Sequence, residues 1–253
     1  MNRPTRASHL KYVIADRVFL SAEWRHLAML NYEVEPSLLL PFVPAGTELD
    51  SWNGKVFVSL VGFRFLKTKL FGFLPIPMHA NFEEVNLRFY VCRKDENEVR
   101  RGVVFIRELV PRRAIAFVAR TFYHEKYVAL PMTHDIRTLP DNHLRVEYRW
   151  CSRKRWNSIS LETDGDAALS SPHSAEQFIT EHYWGYAAQP GGDCMEYRVS
   201  HPTWRVWQAR ESAFDGDAED LYGKEIASVL RGKPHSAFLA EGSAISVMRG
   251  RRL

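Results

Sequence analysis

Asn81-Phe82-Glu83-Glu84-Val85-Asn86-Leu87-Arg88-Phe89-Tyr90-Val91 alternates in side-chain character along its length. A strand turns successive residues to opposite faces, so Glu84, Asn86, Arg88 and Tyr90 share one side and Val85, Leu87, Phe89 and Val91 the other. A carboxylate, an amide, a guanidinium and a phenol at period 2 suit either the wall of a small-molecule cavity or the solvated face of an antiparallel sheet. The pattern by itself favours the solvated face.

Outward from this strand, residues 94–98 turn into a second strand over 99–110, whose Val103-Val104-Phe105-Ile106 suits burial and which Pro111 stops. Upstream, residues 67–80 combine a glycine and two prolines with unusual hydrophobicity, and a loop of the kind that lids a pocket is predicted there. Asn53-Gly54, between residues 47–52 and 55–66, predicts a hairpin with a type I′ turn, because both residues tolerate positive φ. A strand over 24–34 precedes it, followed by a short helix opened by Pro36 and closed by Pro41. Residues 112–122 have helical spacing and lead into the irregular Tyr123-His124-Glu125-Lys126-Tyr127. Strands over 144–150 and 157–162 flank a basic turn. Ser174 and Gln177 have capping-box spacing at the head of a helix to residue 184. Strands over 196–199, 204–211 and 237–248 and a helix over 221–230 complete the reading. Helices are few and separated, and neither repeat nor linker interrupts them. The chain is thus predicted to be one α+β domain over residues 1–253, mainly antiparallel β and closing on itself so that its edges are covered. Its ends, 1–15 and 249–253, are expected to be loosely ordered.

Composition bounds the function. With 45% hydrophobic and 25% charged residues, the 253-residue chain has ordinary globular usage, which excludes global disorder and fibrous repeats. No apolar run reaches the roughly 18–20 residues that cross a bilayer, and the N-terminal region lacks a signal-peptide core, so a cytoplasmic protein with no membrane partner is expected. Basic residues cluster at Arg149, Arg153, Lys154 and Arg155 and at Arg249, Arg251 and Arg252. A solvated turn and a frayed tail account for both clusters, and no nucleic-acid partner is expected. Cys92, Cys151 and Cys194 stand far apart, against a disulfide framework, a zinc ribbon or a redox pair. The ten histidines lack metal-ligand spacing, and no phosphate-binding glycine loop or nucleophile elbow is present, so neither a metal nor another cofactor is expected.

Trp24-Arg25-His26-Leu27-Ala28-Met29-Leu30-Asn31-Tyr32-Glu33-Val34, followed by Pro36 and by Pro41-Phe42-Val43-Pro44-Ala45-Gly46-Thr47-Glu48-Leu49-Asp50, resembles the DUF2071, or YqjF-like, family. So do the run from Gly54 to Phe63, the strand quoted above, Arg101-Gly102-Val103-Val104-Phe105-Ile106-Arg107-Glu108 and Tyr127-Val128-Ala129-Leu130-Pro131-Met132. The resemblance implies the fold of acetoacetate decarboxylase, a closed double-layered or cone-like barrel of antiparallel strands around a buried cavity, with a few flanking helices. It carries over no established activity. Against the acetoacetate decarboxylase family, Arg25 matches an arginine of the first core strand and Glu84 an active-site glutamate. At the family's reactive-lysine motif, Lys126 falls on a proline, and Tyr127 and Val128 fall on the two lysines, so the nucleophile is missing as aligned.

Glu84 and Lys126 are therefore the candidate catalytic residues, and Arg25, Asn86, Arg88, Tyr123 and His124 the candidate substrate contacts. An imine-forming lysine has to be neutral, which calls for burial or a cationic neighbour; Glu125 beside Lys126 works against this, and a solvated loop lysine is the competing reading. Arg25 and Glu84 are expected to point together into a hollow interior and orient a carboxylate or carbonyl, with an ion pair as the alternative. The expected function is binding, with or without transformation, of a small keto or carboxylic acid. A non-catalytic carrier or sensor on the same fold is the alternative, and self-association through the aromatic loop 71–78, giving a homo-oligomer, is a third reading.

Overall fold

The computed structural model describes residues 17–75, 80–95, 98–111 and 126–253. Its strands join in one hydrogen-bonded sheet. The first, β1 (Val18–Val34), pairs antiparallel with β3 (Val56–Leu70) on one side and with β14 (Ser236–Met248) on the other. From β3 the order runs through β5 (Phe82–Lys94), β6 (Val99–Val110), β11 (Trp184–Ala188) and β12 (Cys194–Ser200). β12 then meets β14 through Val199↔Val247 and Ser200↔Ser246, closing a ring. Every neighbour in this ring is antiparallel except the short β6–β11 contact.

At β14 the sheet also leaves the ring. β13 (Arg205–Asp215), β10 (Arg155–Leu169), β9 (Leu144–Ser152) and β8 (Met132–Thr138) follow in order and pack across β1, β3 and β5 as a second layer. Two apolar clusters result. Between the layers, Ala28, Leu30, Leu60 and Leu87 of the ring meet Val146, Tyr148 and Ile159. Inside the ring, Leu27, Met29, Val61, Phe63 and Phe82 gather with Phe178. The layers approach closely at Gly62, where a Cβ would lie 2.6 Å from the Tyr148 ring. The Tyr148 hydroxyl passes this point and donates to the His26 carbonyl at 2.8 Å.

This arrangement buries both faces of β5. Glu84, Asn86, Arg88 and Tyr90 are as enclosed as Val85, Leu87, Phe89 and Val91. The solvated-face reading of the alternation is overturned, because the polar side faces a ring interior that the opposite wall covers.

Several boundaries differ from the sequence reading, each for a local reason. β1 begins at Val18 and β3 continues to Leu70, where Lys69 and Leu70 pair with β4 (Leu74–Pro75), so the predicted loop is strand on both sides of its glycine. Asn53 and Gly54 have φ of 51° and 77° and make the expected turn, bridged by Trp52 and Lys55. The arm before it, β2 (Glu48–Leu49), pairs with β5 and not β3, because β5 outruns β3 beyond Phe89 and leaves Val91 and Cys92 free to bond. The capped helix is α2 (Ala175–Thr180), following α1 (Pro36–Leu39), and Ser174 Oγ accepts from the Gln177 amide. The helix expected over 221–230 is two, α3 (Glu219–Tyr222) and α4 (Lys224–Leu230), broken at Gly223 with φ of 82°. The tail expected to fray forms β15 (Arg251–Arg252) on β12. The basic turn is charge-paired: Arg149 with Glu147, Arg153 with Asp220 and Arg155 with Asp215. No helix among the described residues is long and apolar enough to cross a membrane. The helix expected over 112–122 and residues 1–15 lie outside the described residues.

Candidate functional site

A cavity of about 190 Å³ lies inside the ring. Its walls are largely aromatic, with Trp24, Phe63, Phe65, Phe82, Phe105 and Trp204 among them. Its polar side is built by β5, whose inward parity delivers Glu84, Asn86 and Arg88 in a row. β6 adds Glu108, the short β7 (Tyr127–Ala129) adds Tyr127, and the chain leaving α2 adds His182.

Glu84 is 2% exposed. Its Oε1 accepts from Asn86 Nδ2 at 2.9 Å and its Oε2 from the Tyr127 hydroxyl at 3.1 Å. Burial pushes this carboxyl up to about 7, against the opposing pull of the two hydrogen bonds and of the Arg88 charge. The Tyr127 phenol is pushed well above its ordinary range, first by burial and then by Glu108 and Glu84 beside it. Two buried carboxyls thus share one tyrosine, and near neutral pH Glu84 stands poised between its protonated and ionised forms.

Arg88 is 8% exposed and has no ion-pair partner among the described residues. Its Nε lacks a hydrogen-bond acceptor there, and Nη2 reaches only the Met29 sulfur at 4.0 Å. Beneath it lies Tyr90, 5.9 Å from guanidinium carbon to ring centroid. The Tyr90 hydroxyl donates to Ser59 Oγ at 2.7 Å, since Ser59 gives its own proton to Asn31 Oδ1. Against the same Tyr90 ring packs His182, with centroids 4.7 Å apart. His182 Nε2 lies 3.1 Å from Asp50 Oδ2, and Arg101 Nε donates to that oxygen at 2.7 Å. Burial pushes the Asp50 carboxyl up, but these two bonds outweigh it and hold the group below its ordinary range. Burial pushes His182 down to about 4, with Arg101 and Arg88 adding to the effect and Asp50 opposing it.

The sequence candidates divide. Glu84, Asn86 and Arg88 share the cavity wall, and Arg25 does not. Arg25 bonds Glu23 Oε2 through Nε and Nη2 at 3.1 Å and the Gly242 carbonyl through Nη1 at 3.3 Å. The expectation that it joins Glu84 is corrected, and the cause is a bulge: His26 has φ of 55°, and the β1–β3 register slips by one residue between Arg25 and Ala28. Trp24 and Leu27 consequently both face inward, leaving Arg25 outside. Lys126 is also not on the cavity wall; it is exposed, with Nζ 5.2 Å over the ring of Phe42, which packs on the interlayer cluster. Tyr123 and His124 lie outside the described residues.

Glu108, Tyr127 and His182 join the site without having been singled out for it. A second bulge, between Leu87 and Arg88 in the β5–β6 register, turns both Phe105 and Glu108 inward; unbroken parity would put Glu108 on the interlayer face with Val104 and Ile106. Tyr127 was visible only as the residue standing at a lysine position of the related family. His182 carries no local signal, because its partner Asp50 is remote in sequence. Among the described residues, no group of three or more His, Cys, Asp and Glu side chains is arranged to hold a metal ion.

Ring, second layer and interior cavity together make the fold of the acetoacetate decarboxylase-like structures. The structure of acetoacetate decarboxylase from Legionella pneumophila superimposes with a TM-score of 0.66 over 93% of this chain and 87% of its own, at 12% identity. The enduracididine biosynthesis enzyme MppR, solved in complex with pyruvate, does so with a TM-score of 0.62 over 92% and 90% of the two chains, also at 12% identity. Likeness at such identity is one of fold. The DUF2071 profile, that of an uncharacterized conserved protein, matches residues 21–244, and the chain belongs to that family. The uncharacterized protein YqjF of Bacillus subtilis (strain 168) is 26% identical over 206 residues, 79% of this chain and 80% of YqjF.

Proposed function

We propose that the cavity binds a small carboxylic acid, keto acids included, and that Glu84 exchanges a proton with it. Arg88 carries this reading. A guanidinium stays charged at any working pH, and burying it without an anion costs several kcal/mol. A carboxylate entering the cavity supplies that anion in the planar geometry a guanidinium binds through two parallel hydrogen bonds. The pyruvate bound by MppR is of the same chemical class. Glu84, with its carboxyl near 7, has the proton affinity of a group that gives and takes protons at neutral pH. The reading needs no amine nucleophile, in keeping with Lys126 lying off the cavity wall.

The second reading, a carrier or sensor, draws on the mostly aromatic walls. Titration calorimetry with a panel of 2-oxo, 2-hydroxy and unsubstituted carboxylic acids tests binding, and Arg88→Met is expected to weaken it by about 2–5 kcal/mol. Proton NMR in D₂O then separates the readings: loss of the C3 proton signal of a bound 2-oxo acid with wild type but not with Glu84→Gln supports catalysis. Binding without exchange supports the carrier. Failure of every carboxylate to bind rejects both.

A further inference from the structure

The polar side of the cavity has a second, unmet requirement besides an anion. Asp50 is ionised and accepts only, so the proton between it and His182 sits on His182 Nε2. His182 is neutral, and its Nδ1 is therefore a bare acceptor; it is buried and has no donor among the described residues. Asn86 is in the same position: its Nδ2 is committed to Glu84 Oε1, and its Oδ1 is a buried acceptor with no donor among the described residues. Asp50, itself gripped by Arg101, fixes the imidazole so that this acceptor stays in place. Arg88 and His182 both pack on the Tyr90 ring and line the same cavity, close enough for the Arg88 charge to act on His182.

A simple carboxylate, or a 2-oxo acid in its keto form, brings acceptors only and leaves both lone pairs buried and unmet. A hydroxyl on the carbon next to the carboxylate, as in a 2-hydroxy acid or the enol of a 2-oxo acid, carries one proton and supplies a donor to one of the two. The rest of the cavity asks for an apolar group, because its walls are largely aromatic.

Building on the carboxylate reading above, we infer that the ligand of this cavity is a carboxylic acid with a hydroxyl on the adjacent carbon and an apolar tail, its carboxylate on Arg88 and its hydroxyl donating to His182 Nδ1. His182 and Asp50 are then specificity-determining residues, a role separate from the proton transfer given to Glu84.

Two probes identical but for the hydroxyl test this, 3-phenyllactate and 3-phenylpropanoate, titrated by calorimetry into the full-length protein. Wild type is expected to bind the hydroxy acid at least about 10-fold more tightly, because an acceptor built for a donor discriminates against a ligand without one. In His182→Phe, which keeps a ring against Tyr90 and Phe178, the ratio is expected to fall to about 1. Equal binding of both acids by wild type overturns this inference and leaves the carboxylate reading standing. Binding of neither, in a folded protein that also fails to bind the wider carboxylate panel, overturns both. A preference that persists in folded His182→Phe overturns the assignment to His182, and should that variant not fold, the wild-type pair decides alone.

Discussion

Tyr127 donates to Glu84 Oε2 at 3.1 Å inside a closed ring of strands, so the proton inventory of this glutamate is tied to the fold itself. Its carboxyl titrates near 7 when folded, against an ordinary 4.5. Between those values the folded chain holds a proton that the unfolded chain has released, so the contribution to stability is full below pH 4.5 and is lost as pH rises through about 7. Glu84→Gln removes that loss. Urea unfolding of both proteins at pH 5 and pH 8 is expected to show the variant gaining on wild type at the higher pH, and an unchanged difference refutes the raised carboxyl.

His182 acts with the opposite sign. Its folded value of about 4 lies below the ordinary 6.5, so on acidification the unfolded chain takes up a proton first. The stabilisation is present above pH 6.5 and drains away as pH falls toward 4. His182→Phe is expected to flatten this limb of a melting temperature profile measured from pH 7 to pH 4; a profile parallel to wild type contradicts it.

Glu196 is a buried carboxylate at the end of the ring, held by Arg100 at 2.9 Å, Arg251 at 2.7 Å, Arg93 at 3.2 Å and the Tyr186 hydroxyl at 3.2 Å. Removing its charge leaves Asp95 as the remaining carboxylate for Arg93, Arg100 and Arg251, with Glu98 also on Arg100, and Glu196→Gln is expected to cost about 1–3 kcal/mol. Deleting residues 251–253 leaves Arg93 and Arg100 in place and is expected to cost less. Denaturant midpoints of the two variants check the order, and equal losses contradict it.

Gly62→Ala tests the contact between layers. The new methyl meets the Tyr148 ring at 2.6 Å and its movement disturbs the hydroxyl bond to His26, so a loss of about 1–3 kcal/mol is expected. Calorimetric unfolding measures it, and a neutral result contradicts a tight contact between the layers at this point.

Much of the fold was legible where local signals are strong. The Asn53-Gly54 turn, the Ser174 cap and the alternation of β5 all survive in the structure. What the alternation could not say was which polar face is covered, since that depends on ring closure by strands far away in sequence. The site was legible for Glu84, Asn86 and Arg88, which one strand carries in uniform parity. It failed for Arg25 and Glu108, where single-residue bulges reverse the parity, and for His182, whose meaning comes from Asp50 more than a hundred residues earlier.

Ring closure also constrains when the protein can become itself. β1 needs β14, and β14 alone joins it to β12, so a seam between the first and last parts of the chain completes the wall. During synthesis the nascent chain carries β1 with one raw edge until residues 236–248 emerge, and contacts so distant in sequence form slowly. A stalled or prematurely terminated product lacking β14 would display unpaired edges on β1, β12 and β13 and would have no closed binding chamber.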